Sequence, residues 1–176
     1  MDAPPAFRRQ LLDSIPRLRR YARSLSFDAG RADDLTQQAL ERALTHWRQF
    51  DPEREMAVWL LSIAHNAHLD ALRRDARLVV TDPAELQRVQ ESASGQGGTD
   101  VGLQIDLRSA LSRLSPEQRE PLLLVCVEQL SYAEVAEVMG IPAGTVMSRV
   151  CRARARLRRL LDGEPAGTAP ILRRVV

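Results

Sequence analysis

Lysine is absent from this 176-residue chain, and all 25 of its basic residues are arginine. Genome composition accounts for part of that bias. Arginine also pairs bidentately with phosphate and guanine, so the bias does not count against nucleic-acid binding. Aromatic residues make up only 4%, which leaves Leu, Val and Ala to build the cores and favours small helical bundles. Two cysteines, Cys126 and Cys151, stand far apart with no CxxC, which excludes a disulfide framework and argues against a structural zinc site. No apolar run approaches the ~18–20 residues of a membrane span. The first ten residues hold acid and proline but no apolar stretch, so no signal peptide is expected and the cytoplasm is the expected address. What remains is a globular composition, 44% hydrophobic and 27% charged.

The charge is unevenly distributed. Residues 1–80 and 105–162 each carry a net charge of +2, whereas residues 81–104 carry −3. That middle stretch contains Glu91-Ser-Ala-Ser-Gly-Gln-Gly-Gly-Thr-Asp100, which has nothing apolar to bury and reads as a flexible linker. The expected organisation is all-α: a domain over 1–80, a linker over 81–104, a second domain over 105–162 and a tail over 163–176.

In the first domain, Leu11, Leu12, Ile15, Leu18, Tyr21, Ala22 and Leu25 recur at helical spacing and predict a helix over 6–25, with a kink or break at Pro16. A second helix is predicted over 31–49, with an apolar stripe of Leu40, Ala43, Leu44 and Trp47. Asp51-Pro52-Glu53 reads as the cap of a third, over 52–77, in which Trp59 is assigned to the core. Asp82-Pro83-Ala84-Glu85 repeats the cap pattern.

The second domain opens with a helix over 105–114. Ser115-Pro-Glu-Gln118 reads as a capping box for a helix running to about Gln129, in which Cys126 is taken for core packing. Ser131-Tyr-Ala-Glu134 is a second capping box, opening a short helix that ends at Met139 with Gly140 as its left-handed cap. After a short turn, a longer helix begins near Pro142. Short capped helix, glycine turn, longer helix: this is the grammar of a helix-turn-helix. Val146, Val150, Ala153 and Leu157 would face the core, while six of the eleven residues from Arg149 to Arg159 are Arg. Near the start of such a helix, side chains can reach base edges, and further along they reach phosphates. A solvated amphipathic helix in a bundle that never meets DNA has the same spacing, so spacing alone leaves both readings open.

Leu114-Ser-Pro-Glu-Gln-Arg-Glu-Pro-Leu-Leu-Leu124, Leu130-Ser-Tyr-Ala-Glu-Val-Ala-Glu-Val-Met-Gly-Ile141 and Gly144-Thr-Val-Met-Ser-Arg-Val-Cys-Arg-Ala-Arg154 closely resemble region four of bacterial RNA polymerase sigma factors of the extracytoplasmic-function type. Ala32-Asp-Asp-Leu-Thr-Gln-Gln-Ala-Leu-Glu-Arg-Ala43 and Trp59-Leu-Leu-Ser-Ile-Ala-His-Asn-Ala-His-Leu-Asp-Ala-Leu-Arg-Arg74 resemble parts of region two. The resemblance spans roughly 6–77 and 105–161, in the family's own order.

The resemblance implies roles. Asp33, Asp34, Gln37, Gln38, Glu41 and Arg42 would meet the clamp coiled coil of core polymerase, whose beta and beta-prime subunits are the implied partners. Arg48, Gln49, Phe50 and Asp51 match the loop that captures a flipped base of the minus-ten element. There Phe50 would stack on a base; alternatively it staples the following helix. His65, Asn66, Asp70, Arg73 and Arg74 would lie along the opened strand. Thr145, Met147, Ser148, Arg149, Cys151, Arg152, Arg156 and Arg158 would face the minus-thirty-five element. Met147 stands where many relatives have Lys or Arg, and Cys151 where a larger side chain is common, so the upstream sequence read is left open. An anti-sigma factor is a further implied partner, and promoter DNA is the substrate surface. No cofactor or metal is implied. His65 and His68 share a helix face but lack a third ligand nearby in sequence, and no P-loop, GxSxG or Rossmann fingerprint is present, so catalysis is not expected. The rival reading is an ordinary helix-turn-helix regulator that binds duplex operator DNA without polymerase; an adaptor would leave the Arg-rich final helix unexplained.

Overall fold

A computed structural model describes residues 3–81 and 101–162. Those residues form seven α-helices and one 3-10 turn, with no strands among them. The tail, the Gly-rich stretch and the Asp82-Pro83 cap lie outside the described residues.

Helix α1 (Pro5–Ser26) buries Phe7, Leu11, Leu18, Tyr21, Ala22 and Leu25, the expected stripe. It passes through Pro16 without a break. Pro16 and Leu12, whose carbonyl loses its partner, are both exposed, so water can satisfy that oxygen and the bundle holds the helix together. Helix α2 (Ala29–Thr45) starts at Asp28, whose carboxylate accepts the Arg31 N–H at 2.7 Å. It ends four residues before the predicted limit, and Trp47–Gln49 form the 3-10 turn. Helix α3 (Met56–Thr81) also starts later than predicted. The Asp51 carboxylate accepts the Glu53 N–H at 3.0 Å, and the Asp51 carbonyl accepts the Arg54 N–H at 3.0 Å. Asp51 therefore closes a turn instead of capping the helix, a competing use of the same side chain.

Helices α4 (Val101–Ser112), α5 (Pro116–Cys126), α6 (Tyr132–Met139) and α7 (Ala143–Leu161) form the second unit. α4 begins four residues before its predicted start. Ser115 stands at the start of α5 but makes no side-chain cap, and Gln118 Oε1 is buried without a partner; the first predicted capping box is not made. The second forms fully. Glu134 N–H donates to Ser131 Oγ at 3.2 Å, and Ser131 N–H donates to Glu134 Oε2 at 2.7 Å. Gly140 adopts φ 63°, the left-handed conformation that lets the chain turn into α7. α5 stops at Cys126, which is exposed and not core, its Sγ 3.8 Å from Arg154 Nη2. Val146, Val150 and Ala153 are buried as expected, Leu157 is half-buried, and Val135 and Val138 of α6 are buried beside them.

The halves are not isolated beads. One buried apolar cluster runs from Phe7 and Leu18 through Leu60 and Leu61 to Leu124 and Val146. α5 packs on α1, and α6 on α3.

Candidate polymerase and promoter interfaces

Asp34, Gln37, Gln38 and Glu41 recur at i, i+3, i+4 and i+7 and share one side of α2. Asp33, Asp34, Gln37 and Glu41 are exposed, and Gln38 is half-buried. Gln37 Nε2 donates to Glu41 Oε1 at 2.9 Å. Arg42 is turned away, both terminal nitrogens donating to Asp70 Oδ2 of α3 at 3.2 Å. Beside this face, α1 and α2 leave an apolar groove of about 570 Å³ lined by Leu11, Leu12, Ile15, Leu40, Leu44 and Trp47. Leu12 is 64% exposed and Leu44 46%. The predicted apolar stripe of α2 is therefore only partly core.

The second expected group is divided. Arg48, Gln49 and Asp51 are exposed, with the Arg48 guanidinium 5.5 Å from the Trp47 ring. Phe50 is half-buried, its ring 5.7 Å from Phe7 and 5.2 Å from Trp59. Phe50 thus packs into an aromatic cluster, as the staple would have it, while part of it stays exposed. Asn66, Arg73 and Arg74 are exposed along α3, with Asp70 half-buried beside them. His65 departs from expectation: it is 4% exposed and faces the second unit. One step along a helix turns a side chain by about 100°, which separates His65 from Asn66.

On α7, Met147, Ser148, Cys151, Arg152, Arg156 and Arg158 are exposed and Thr145 is half-buried. Arg149 is mostly covered and lies 3.6 Å from Glu117. Arg152 Nε donates to the Ser148 carbonyl at 3.2 Å. The exposed guanidinium groups give this helix a positive outer surface suited to a polyanion.

Sequence reading places Tyr21 in an apolar stripe and gives Glu120 and Glu128 no role. Both carboxylates are buried. Tyr21 Oη donates to Glu120 Oε1, and His65 Nδ1 lies 2.6 Å from the same oxygen. Burial, then the Glu120 charge, pushes the Tyr21 hydroxyl well above its ordinary pKa. Arg20 forks onto Glu128, Nε to Oε1 at 3.0 Å and Nη2 to Oε2 at 2.8 Å. Arg17 adds Nε to Oε2 at 3.2 Å and Nη2 to the Glu128 carbonyl at 2.8 Å. Phe27, left-handed at φ 57°, has Arg119 at 4.9 Å and Arg108 at 5.8 Å from its ring. Near it, His68 Nε2 and Arg119 Nε are buried without a protein partner, and both residues line a cavity of about 280 Å³ that also touches Asp34 and Gln38. Burial lowers the His68 pKa. Among the described residues no three His, Cys, Asp or Glu side chains are grouped to hold a metal ion, and no helix is long and apolar enough to cross a membrane.

Two protein families match in order: Sigma-70 region 2 over residues 12–78 and Sigma-70 region 4 over residues 104–157. The ECF RNA polymerase sigma factor EcfG of Rhodopseudomonas palustris is 36% identical over 180 residues, covering 100% of this chain and 98% of that protein. The chain belongs to the ECF family of RNA polymerase sigma factors. The solved sigma factor RpoE of Bartonella quintana, in complex with the anti-sigma factor NepR, is 31% identical with TM-score 0.72, covering 92% of this chain and 100% of that one. CnrH, solved with the cytosolic domain of CnrY, is 30% identical with TM-score 0.64, covering 91% and 90%. In this sigma factor α1–α3 are thus region 2 and α4–α7 region 4, and the protein works with core RNA polymerase on promoter DNA in transcription initiation.

Proposed function

We propose that region 2 of this sigma factor docks on core polymerase through Asp33, Asp34, Gln37, Gln38 and Glu41 together with the adjoining groove of Leu12 and Leu44. Exposed leucines beside exposed carboxylates and amides on one surface support this reading, because a monomer gains nothing from leaving such side chains in water. Arg48, Gln49, Asp51, Asn66, Arg73 and Arg74 then read the minus-ten element as it opens. Region 4 reads the minus-thirty-five element with the start of α7, where Thr145, Met147, Ser148, Arg149 and Arg152 lie. Cys151, Arg156 and Arg158 meet the flanking backbone. The observation that carries this reading is the exposed, Arg-rich outer surface of α7 directly after the Gly140 turn.

The protein supplies recognition and strand opening, not catalysis, and acts in the cytoplasm. An anti-sigma factor is a partner on this reading, as NepR is for the solved RpoE. Sequencing the transcripts that core polymerase starts on genomic DNA, with and without this protein, tests the assignment and yields its promoters. Core-dependent starts preceded by two common sequence blocks are the expected result. Firm, polymerase-independent retention of one duplex site in a gel shift would point instead to an ordinary helix-turn-helix regulator.

A further inference from the structure

The outer surface at the start of α7 is divided between two rows of side chains. Gly144, Ser148, Arg152 and Arg156 recur every four residues, and Ala143, Met147 and Cys151 form the neighbouring row. All seven are exposed. The polar row is tied back to its own helix. Ser148 Oγ donates to the Thr145 carbonyl at 2.9 Å, and Arg152 Nε donates to the Ser148 carbonyl at 3.2 Å. Arg149, on the other side, turns toward Glu117 of α5. Met147 is 56% exposed, a large apolar side chain left in water on the first turns of the helix. Helical side chains lean toward the N-terminus, which directs Met147 over Ala143 and Gly144. A Cβ at Gly144 would meet nothing within 4 Å, so the surface in front of Met147 is open to a base pair.

A methionine at this place cannot act as an arginine does. Its thioether donates nothing and accepts weakly, so it neither holds a phosphate nor reads the acceptors of guanine or adenine. The major groove offers one apolar group, the C5-methyl of thymine. We infer that Met147, with Ala143 beside it, is a specificity-determining residue that reads a thymine methyl, on either strand, within the minus-thirty-five element. The inference rests on the promoter assignment above and names the base chemistry of that same surface. The start of α7 then combines two kinds of readout. Arg149 and Arg152 supply hydrogen bonds to base edges, and Met147 supplies apolar burial. Its unbranched, flexible side chain can settle against the methyl once α7 lies in the groove. Burying one methyl there raises affinity about fourfold over the same base without it. Cytosine is disfavoured more strongly, because its N4 donor would leave water for a weak acceptor.

The test uses the full chain bound to core polymerase, on a promoter mapped from its own transcripts. Each thymine of the upstream block, on either strand, is replaced singly by deoxyuridine, which keeps the base pair and removes only the methyl. At one position, or two adjacent ones, affinity should fall about fourfold by fluorescence anisotropy. In Met147→Ser the same replacement should change nothing, and the thymine duplex should bind as weakly as wild type binds the uracil duplex. Met147→Leu, still apolar, should keep the difference between thymine and uracil. Circular dichroism of both variants should match wild type, because Met147 is not in the core. An upstream block without thymine on either strand overturns the inference. So does a block in which no uracil replacement matters, or a thymine–uracil difference that survives in Met147→Ser. A holoenzyme indifferent to the whole upstream block would strike the promoter assignment itself.

Discussion

Arg149 leans on Glu117 and Arg152 lies along its own helix against Ser148, so both would have to be released to touch a base. Such surface contacts are worth only ~0–1 kcal/mol, less than the ~1–3 kcal/mol a bidentate guanine contact supplies. Arg149→Ala or Arg152→Ala should weaken upstream-element binding by about 1–3 kcal/mol at the matched sequence. Arg158→Ala should weaken all sequences alike and flatten the salt dependence. Fluorescence anisotropy of the holoenzyme on matched and altered duplexes separates the two patterns; equal losses everywhere would put the recognition surface elsewhere. On α2, charge reversal at Asp34 with Gln38→Ala should lower core polymerase affinity at least tenfold in a pull-down titration, with unchanged helicity, because neither side chain is in the core. The exposure of Asp34 and Arg152 was legible from residue type and spacing. His65 and Phe50 were not. Which way each side chain turns is decided by packing against Glu120 in one case and against Phe7 and Trp59 in the other, and no local pattern carries that.

Local chemistry was legible where its bonds close within a few residues. The Ser131–Glu134 box and the Gly140 cap formed as written because their donors and acceptors sit within one turn of each other. Asp51 and Ser115 show the limit: the same residue types can close a turn or leave a helix start uncapped. Ser131→Ala should cost about 1 kcal/mol in thermal or denaturant unfolding. The box also predicts a direction with pH. Hydrogen bonds from the Ser131 hydroxyl and backbone N–H hold the Glu134 carboxyl below its ordinary pKa. Its contribution is therefore complete above the usual carboxylate range and is lost as pH falls through the depressed value. Wild type and Ser131→Ala should converge in stability on acidification; a gap that stayed constant would mean the box does not titrate.

The fold class and the order of the two units were legible at the scale of the whole chain, while their junction was not. Its pairings join residues 99 and 111 positions apart, Tyr21 to Glu120 and Arg17 to Glu128, and each acid alone reads as an ordinary helix or turn residue. The same scale gives a prediction for the connection. Residues 82–100 could extend about 60 Å at most. Removing ten of them, 91–100, should sharply reduce initiation at an unaltered promoter while circular dichroism reports both regions folded. Normal initiation by that deletion variant would show that the two DNA elements need not be held at once.

At the junction, guanidinium groups, carboxylates, a phenol and an imidazole surround the buried apolar cluster that the two units share. A rim of that kind is wettable when the units separate. A seam of leucines, once opened, would seek other leucines and precipitate or recruit chaperones. Here the polar rim finds water as a ready substitute wherever it is uncovered, so an opened junction exposes less sticky surface than its leucines alone would.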